Sequence, residues 1–437
     1  MGQSPDTLWL SRPHPYCMTT DRYGAARVID RIRPTDVNAG GEWASVVAPL
    51  AVLVSCALLV LMQLYLAIPL APVMGEALGG GGAAAAAALG TAYALAYGAG
   101  FLVFGPVSDR YGRKVVLVPG MAALAVATAG LTAASSLPMV ALLRGVQGLL
   151  AASFAAVALA YVGEALPPRW RATGIGAIST AFLVAGILGQ VYAQAVAQAM
   201  SWRWVFGLAA PAFAVAAIAI ATVLLELARA GPPASLGQKY RELAALAVRR
   251  ELALPYAACL PVLLSFVAMY AALGPLLQTR FGLDDSGVLL VRLAALPVML
   301  LAPLAGWLVG RRGPTRVAVA GYLLAAAGLA VQAVSVAALW ALVVASVVFV
   351  AGIAMIVPAV ITLVGGRGGS ARAGALGLTG LVVFAGASLG PLAAELPLNF
   401  TALMLVLAAL LVAGAALIAQ SASSSRSAGT ATGRRTG

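Results

Sequence analysis

An arginine lies inside a long apolar run of this sequence, in the segment Arg144-Gly-Val-Gln147-Gly148. A charged side chain inside a membrane costs several kcal/mol unless it faces protein or water. Arg144 therefore either faces the interior of a helix bundle or extends to the nearer membrane surface, as long basic side chains do. In the first case its fixed positive charge could bind an anion or couple to a proton. We predict that Arg144 and Gln147 face a central cavity.

Other polar and aromatic side chains recur in the apolar runs. Gln190, Gln194 and Gln198 are spaced four residues apart, which places three amides on one face of a helix. Amides and tyrosine hydroxyls suit a small polar or amphipathic ligand, and they equally suit hydrogen bonds between helices. The candidate substrate-binding residues are Gln63, Tyr65, Tyr93, Tyr97, Gln190, Gln194, Tyr270 and Arg292.

Acidic residues are missing from the middle of the apolar runs, although the chain contains fourteen of them. With Arg144 and Arg292 as fixed positive charges, this distribution predicts a neutral, zwitterionic or anionic substrate. The single histidine, His14, precedes the first run, and the three cysteines have no metal-ligand spacing. The sequence therefore predicts no metal, no cofactor and no enzymatic activity.

The composition identifies the elements that must position these side chains. The chain is 62% hydrophobic and 9% charged, whereas soluble domains are about half apolar and about a quarter charged. A helix needs about 20 apolar residues to cross a bilayer. Twelve such runs fall at 44–74, 83–106, 115–134, 137–163, 172–199, 203–228, 253–277, 287–310, 316–335, 338–364, 373–395 and 398–420. The sequence predicts an all-α integral membrane protein.

The basic residues indicate how the chain crosses the membrane. The net charge of +13 arises in the tails and in every second gap between runs, and cytoplasmic loops are enriched in Lys and Arg. This pattern indicates that the basic residues set the orientation of the chain in the membrane rather than bind nucleic acid. It places both termini in the cytoplasm. Met18 is an alternative to Met1 as the start. The predicted organisation is a disordered cytoplasmic leader (1–42), a six-helix bundle (43–228), a cytoplasmic linker (229–252), a second six-helix bundle (253–420) and a disordered cytoplasmic tail (421–437).

A loop pattern follows the second run and recurs, in weaker form, after the eighth. The first copy reads Gly105-Pro-Val-Ser-Asp-Arg-Tyr-Gly-Arg-Lys114, and the second reads Gly306-Trp-Leu-Val-Gly-Arg-Arg-Gly-Pro314, 201 residues later. Gly105 would let another helix approach closely, and Gly112 would permit a tight turn. The basic residues of the loop either serve topology alone or have a specific structural role, and the repeat of the whole pattern favours the specific role.

These motifs resemble those of the major facilitator superfamily, and the resemblance covers about residues 44–420. It implies two six-helix pseudo-repeats around a central substrate site. The loop pattern resembles the family's signature between helices 2 and 3, where the matching residues form a charge lock, and Glu164 would be the acidic partner of Arg113. The candidate lock residues are Gly105, Asp109, Arg110, Gly112, Arg113, Lys114 and Glu164. In the second copy Gly310 replaces the acid, which implies a weaker lock or none.

Two further motifs resemble the drug/proton antiporter branch of this family. Arg144 and Gln147 resemble the family's Arg-x-x-Gln-Gly signature, whose arginine in the antiporters implies a role in proton coupling or substrate binding. The glycines of the fifth run resemble the branch's glycine-rich helix 5, and we expect Gly186 and Gly189 to let helices pack closely. Gln190 stands where that branch has proline.

The resemblance implies a secondary active transporter that works by alternating access, with proton-coupled efflux of a drug-like or metabolite substrate. The motifs do not determine direction, so an uptake permease or uniporter for a sugar, organic acid or amino acid is an alternative. A non-transporting membrane receptor is an alternative of another class. The expected partners are a small-molecule substrate, protons as coupling ion and the lipid bilayer, without nucleic acid. We expect a monomer in a bacterial cytoplasmic membrane.

Overall fold

The computed structural model describes residues 39–226, 235–300, 302–369 and 372–433. Residues 1–38 of the predicted leader, 229–234 of the predicted linker and 434–437 of the predicted tail lie outside the described residues. The chain divides into two units, Met1–Ala44 and Ser45–Gly437. The contacts given below all belong to the second unit.

Helices make up nearly all of the described chain before residue 227. They are α1 (Ala39–Tyr65), α2 (Ala67–Ala77), α3 (Gly81–Ala86), α4 (Ala92–Tyr111), α5 (Arg113–Gly130), α6 (Leu137–Ala165), α7 (Pro168–Ala199) and α8 (Trp202–Val223). A π-helical turn, Ala87–Thr91, joins α3 to α4, and a short 3-10 turn, Leu131–Ala133, follows α5.

Helices also make up nearly all of the described chain from residue 235 onward. Their helices are α9 (Leu236–Ala247), α10 (Arg250–Phe281), α11 (Asp285–Leu293), α12 (Leu296–Leu300), α13 (Ala302–Arg312), α14 (Pro314–Val334), α15 (Leu339–Arg367), α16 (Arg372–Ala394) and α17 (Phe400–Gly433). None of the residues that the structure describes forms a β-strand.

Eleven spans within the described ranges are long and apolar enough to cross a membrane. A twelfth is obtained when Asp285–Leu300 and Leu304–Arg312, which meet at an angle of 44°, count as one bent span. The predicted all-α membrane fold is confirmed, and the number of spans agrees with the prediction when the bent pair is included.

Prolines account for two of the helix ends inside the predicted runs. Pro69 has no N–H to donate to the carbonyl of Tyr65, the residue at which α1 ends. Pro297 likewise has none for Leu293, the last residue of α11. The predicted runs 44–74 and 287–310 are therefore each divided into shorter helices, which hydropathy alone does not reveal.

The repeated loop pattern has the same backbone conformation in both copies. Gly112, between α4 and α5, has φ of +107°, and Gly313, between α13 and α14, has φ of +82°. Only glycine adopts such values without strain. The two residues are 201 positions apart, so the repeat in the sequence is also a repeat in the chain's turns.

The first six spans contact the last six along two seams. In one seam α4 and the π turn pack on α16, where a Cβ on Gly98 would lie 3.3 Å from the carbonyl oxygen of Leu381. Thr91 also donates a hydrogen bond to the Ser388 carbonyl oxygen at 2.7 Å. In the other seam α7 packs on α11, α12 and α13. Close approach through small residues is the usual way in which membrane helices associate.

Two segments outside the predicted spans are helical. The amphipathic helix α9 lies in the predicted linker, begins at the N-cap Ser235, and packs Leu243 and Leu246 against Gly374 of α16. Helix α17 continues to Gly433 rather than ending near residue 420. The segment from 421 to 433 contains no proline that would stop the helix. The helix therefore enters the segment that composition predicted to be a disordered tail.

Candidate functional site

The Arg144 side chain is completely buried in the first six spans. Its Nε donates to the Leu89 carbonyl oxygen at 2.8 Å, Nη2 donates to the Gln63 carbonyl oxygen at 2.6 Å, and Nη1 donates to Gln147 Oε1. The guanidinium also lies over the ring of Tyr93, 4.2 Å from its centroid, in a cation–π contact. All three nitrogens of Arg144 thus have acceptors. We call Arg144, Gln147, Gln63 and Tyr93 the Arg144 network.

The local sequence explains how this charge is accommodated. Leu89 lies in the π turn Ala87–Thr91, where backbone hydrogen bonds join residues five apart instead of four. Such single π turns are frequently found at functional sites. Gly148 brings α6 against α4, since a Cβ there would lie only 2.3 Å from the Tyr93 carbonyl oxygen. The motif therefore works as a unit: Gly148 permits the close approach that lets Arg144 reach Leu89 and Tyr93.

The amide of Gln147 completes the Arg144 network. Its Nε2 donates to Thr128 Oγ1 at 2.8 Å and to Gln63 Oε1 at 3.2 Å. Thr128 was not among the predicted site residues, although a lone threonine in an apolar run is a visible signal. Because Arg144 is buried among these groups, the alternative in which it extends to the membrane surface is wrong.

Aromatic side chains from both groups of spans meet beside this network. Tyr93 donates its hydroxyl to the Val60 carbonyl oxygen at 3.2 Å, and its ring stacks on Tyr97 with centroids 5.7 Å apart. Tyr97 packs edge-on against Phe384 of α16, with centroids 4.3 Å apart. The Tyr97 hydroxyl is buried and has no hydrogen-bond partner among the described residues. Sequence reasoning missed Phe384, because an apolar aromatic in an apolar run gives no signal.

A second aromatic group lies where α1, α7 and α10 converge. The rings of Tyr65 and Phe266 meet edge-on at 5.4 Å, and Phe266 lies 5.0 Å from the ring of Tyr270. Gly186 makes room for them, since a Cβ there would lie 3.0 Å from Phe266 Cζ. Gly189 brings α7 equally close to α1, because its Cβ would lie 2.7 Å from the Met62 carbonyl oxygen.

Arg292 of α11 is the second buried arginine, with 6% of its surface exposed. Its Nη1 donates to Gln194 Oε1 of α7 at 2.6 Å, which is the one hydrogen bond that its guanidinium makes within the described part of the chain. Gln194 in turn donates to the Asp285 carbonyl oxygen at 2.5 Å. These bonds join the two groups of spans. Gln190, one turn earlier on α7, donates to the Gly186 carbonyl oxygen at 2.6 Å, and its Oε1 is buried without a partner among described residues.

Asp284 caps the helix that carries Arg292. Its carboxylate accepts hydrogen bonds from the Gly287 N–H at 2.9 Å and from the Ser286 hydroxyl at 2.6 Å. The two bonds, led by that from Ser286, lower the pKa of the Asp284 carboxyl group, since they favour its ionised form. The start of α11 is thereby held by an ionised cap at neutral pH.

A charged cluster occupies the turn between α4 and α5. The Arg113 guanidinium lies 2.5 Å from Asp109 Oδ1 and pairs with both carboxylate oxygens of Glu164, at 2.7 and 3.2 Å. Ser108 Oγ, which sequence reasoning missed, accepts a further hydrogen bond from Arg113 at 2.6 Å. We call Asp109, Arg113 and Glu164 the loop ion-pair cluster.

Three other predicted lock residues lie beside this cluster. Arg110 stacks on Tyr111 at 5.5 Å, and Lys114 is partly exposed. Gly105 does not have the predicted role, because a Cβ there would meet no other described segment within 4 Å. The close approaches on α4 are made instead by Gly98, which faces α16, and by Tyr93, whose backbone lies against Gly148 of α6.

The buried charges inside the spans are positive among the residues described. The buried polar side chains there include Arg144 and Arg292 but no Asp or Glu. No group of three or more His, Cys, Asp or Glu side chains in the described ranges could hold a metal ion. The interior that the structure describes thus presents two guanidinium groups without a carboxylate, which is the electrostatic setting for a neutral or anionic ligand.

Comparison with known proteins gives a family match over most of the chain. The family model of the Major Facilitator Superfamily matches residues 53–391. Multidrug resistance protein 3 of Bacillus subtilis is 26% identical over 120 residues, which are 28% of this chain and 23% of that protein. The inner membrane transport protein YnfM of Escherichia coli is 27% identical over 256 residues, 57% of this chain and 61% of that protein. The chain spans about a quarter of the length of the first curated relatives that it matches.

A solved structure has the same fold. The crystal structure of the human organic anion transporter MFSD10 (TETRAN) superposes with a TM-score of 0.66 at 18% identity, covering 85% of this chain and 99% of that one. At this identity the likeness concerns the fold alone.

Proposed function

Because the chain belongs to the Major Facilitator Superfamily, we propose that it moves a small solute across the cytoplasmic membrane by alternating access. The first and last six spans would rock about a site between them that opens to one side of the membrane at a time. The family and the fold indicate a multi-pass membrane transporter rather than an enzyme.

One observation carries the proposal: buried aromatic and polar side chains from both groups of spans meet between them. Tyr65 contacts Phe266, Tyr97 contacts Phe384, and Gln194 bonds to Arg292. An apolar lining with a few polar groups is typical of small-molecule sites. These pairs must separate or slide when the halves rock, so a ligand bound there would bias the motion.

The loop ion-pair cluster supplies an element that such a motion could use. Arg113 holds Asp109 from α4 and Glu164 from α6, so it ties the ends of three helices together. Bidentate arginine–carboxylate pairs have a defined geometry as well as favourable energy. We propose that this cluster stabilises one of the two states of access and must loosen in the other.

Efflux with proton exchange is the proposed direction and coupling. The glycine pattern of α7 supports it, because Gly186 and Gly189 make the close contacts that the antiporter resemblance implies. The relative named for multidrug resistance also supports it. The proposed location is a bacterial cytoplasmic membrane, in line with the inner-membrane relative, with both termini in the cytoplasm and the chain acting as a monomer.

Uptake or uniport is a second candidate, which a separate observation favours. The buried polar side chains that the structure describes include no Asp or Glu, and an intramembrane carboxylate is a usual carrier of protons. A transporter without such a group could move its solute down a gradient without proton exchange.

Transport by the purified chain in proteoliposomes tests both candidates. Efflux by proton exchange predicts that solute movement accelerates when the proton concentration is higher on the side to which the solute is exported. It also predicts that protons move in the direction opposite to the solute. Uniport predicts solute movement that a proton gradient leaves unchanged. The absence of solute movement above that of protein-free vesicles, across neutral, zwitterionic and anionic solutes, would contradict the proposed function.

The role of the loop ion-pair cluster is tested by Asp109→Asn. We expect the initial transport rate to fall by roughly 5-fold, as expected for loss of about 1 kcal/mol from one conformational state. Glu242→Gln is a matched control, since it removes a carboxylate from the exposed pair with Lys239 on α9. An unchanged rate in Asp109→Asn, with normal insertion, would remove the cluster from the mechanism.

A further inference from the structure

Several polar atoms on the facing sides of α7, α10 and α11 are buried without partners. Among the described residues, the Tyr270 hydroxyl and Gln190 Oε1 have no hydrogen bond. The Arg292 guanidinium, with five N–H groups to donate, makes one hydrogen bond there, to Gln194. Buried polar atoms are nearly always paired in folded proteins. Such a concentration of unmet hydrogen-bonding capacity therefore indicates a site for a ligand.

These groups lie together. The Arg292 Nη2 atom is 3.3 Å from the position that a Cβ on Gly274 would take, and Gly274 is one helical turn from Tyr270 on the same face of α10. Both the Tyr270 phenol and the Asp285 carboxylate, which is exposed at the start of α11, lie close enough to the Arg292 guanidinium to interact with it electrostatically.

Gln190 lies on α7, which contacts α10 beside these residues. Gly186 faces Phe266, and both α7 and α10 continue in the same direction from that contact. Gln190 and Tyr270, each four residues further along, therefore lie at about the same depth.

We propose that Arg292, Tyr270 and Gln190 form a subsite that binds the carboxylate of an amphipathic organic monoanion, with its apolar body against Phe266 and Tyr65. This inference rests on the proposed function, for which it names the class of substrate. The free N–H groups of Arg292 donate to the carboxylate oxygens, the Tyr270 hydroxyl donates a further hydrogen bond, and Gln190 Oε1 accepts one from an N–H or O–H group of the ligand.

The charge of the site selects a monoanion. Arg292 is the guanidinium with donors to spare, whereas Arg144 already donates from all three of its nitrogens. One guanidinium matches the charge and the planar fork of one carboxylate. The aromatic pair Tyr65 and Phe266 supplies an apolar surface at the same place, which favours ligands with an aromatic or aliphatic body over small inorganic anions.

The subsite also touches the contact between the two groups of spans. Gln194 of α7 receives the one hydrogen bond from Arg292 and donates to the Asp285 carbonyl oxygen at the start of α11. A carboxylate that draws Arg292 toward Tyr270 competes with Gln194 for its guanidinium. Binding would thereby loosen the join between α7 and α11, as a substrate must do if it favours the opposite state of access.

Binding to the purified full-length chain in neutral detergent tests the proposal. The probes are carboxylates paired with their uncharged amides: benzoate with benzamide, phenylacetate with phenylacetamide, and cinnamate with cinnamamide. We expect calorimetric titration to show tighter binding of the carboxylate in at least one pair, by about 10-fold or more. Arg292→Gln should abolish that preference, and Tyr270→Phe should reduce carboxylate affinity by about 3- to 10-fold.

Two further variants keep the test decisive. Arg280→Gln removes an exposed arginine at the end of α10 and should leave the carboxylate preference unchanged. Arg292→Lys retains the positive charge without the planar guanidinium and should retain part of the preference. This variant keeps the test informative if Arg292→Gln fails to fold. Equal affinity for carboxylate and amide in every pair, or an unchanged preference in both Arg292 variants, would overturn the proposal.

Transport of the same probes in proteoliposomes separates this inference from the function on which it rests. Movement of the carboxylate probes that is unaffected by Arg292→Gln would leave the transporter intact and refute the subsite. Carboxylate binding that depends on Arg292, without movement of any solute, would support the subsite and refute transport.

Discussion

Arg144 and Arg292 are both buried arginines, one in the first six spans and one in the last, yet their surroundings differ. Arg144 donates to Leu89, Gln63 and Gln147 and lies over Tyr93. Within the described residues, Arg292 has one hydrogen bond and lies near the unpartnered hydroxyl of Tyr270. Neither forms an ion pair with a carboxylate within the described ranges, although Asp285 lies near enough to Arg292 to interact electrostatically. A buried charge surrounded by acceptors stabilises the helices around it, whereas one with spare donors is available to a ligand.

The largest expected difference is in stability. Arg144→Leu leaves three buried acceptors without a donor, and we expect it to lower the free energy of unfolding by about 3 kcal/mol or more. Arg292→Leu removes one hydrogen bond and should cost only about 1 kcal/mol. Unfolding of the purified variants in mixed micelles measures both values. Similar losses would show that the two arginines do not differ in the way proposed.

The next largest difference in stability is expected between substitutions of the glycines beside the two arginines. A Cβ on Gly148 would lie 2.3 Å from a backbone oxygen, whereas a Cβ on Gly274 would lie 3.3 Å from the mobile end of Arg292. We expect Gly148→Ala to destabilise the protein by about 1–3 kcal/mol and Gly274→Ala to have little effect on unfolding while weakening carboxylate binding.

Gly145→Ala is the control for both glycine variants. It lies on the same helix as Gly148, and a Cβ there would meet no other described segment within 4 Å. Because alanine favours the helix more than glycine does, Gly145→Ala should be neutral or slightly stabilising. A loss as large as that of Gly148→Ala would point to a general effect of the mutation rather than to the contact with Tyr93.

The sequence alone predicted the features that depend on local chemistry. Apolar run length indicates the spans, and a glycine in the loop pattern indicates the turn at Gly112, since few other residues adopt its φ value. The cost of a charge in hydrocarbon favours an Arg144 that faces the interior of the bundle over one that extends to the membrane surface. Each of these inferences needs only a residue and its neighbours along the chain.

What the sequence could not give depends on contacts between distant segments. The state of Arg292 depends on α7 supplying Gln194 and on Gly274 leaving space, neither of which is visible from Arg292 itself. Gly105 was assigned a close approach that Gly98 makes instead, because a pattern of small residues does not show which of them faces another helix. The aromatic partners Phe266 and Phe384 likewise look like any other apolar residues.

Two tyrosine hydroxyls offer a smaller contrast between the same regions. Tyr93 donates to the Val60 carbonyl oxygen, so Tyr93→Phe should lower the free energy of unfolding by about 1 kcal/mol. The Tyr270 hydroxyl has no partner among the described residues, so Tyr270→Phe should leave stability unchanged or slightly raised. Unfolding in mixed micelles compares the two, and an equal loss in Tyr270→Phe would mean that its hydroxyl has a partner in the protein and is not free for a ligand.

The smallest expected effect concerns Asp284, the cap of the helix that carries Arg292. Its hydrogen bonds from Ser286 and Gly287 lower the pKa of the carboxyl group below the ordinary value of about 4. A lowered folded-state pKa contributes stability above the unfolded value, and that contribution is lost as pH falls through the folded value. Between pH values of about 5 and 8 the cap therefore stays ionised and should give carboxylate binding no pH dependence of its own.

Removing this cap tests whether the position of Arg292 depends on the start of α11. Asp284→Ala should slightly weaken both stability and carboxylate binding at neutral pH, whereas Asp284→Asn, which caps without titrating, should change both less. The gap in stability between Asp284→Ala and the unmodified chain should narrow as the pH falls from about 4 through the lowered folded-state pKa. Below that pKa the capping carboxylate is protonated in both states. If binding falls in Asp284→Ala as steeply as in Arg292→Gln, the fixed start of the helix, rather than spare donors on Arg292, controls the site.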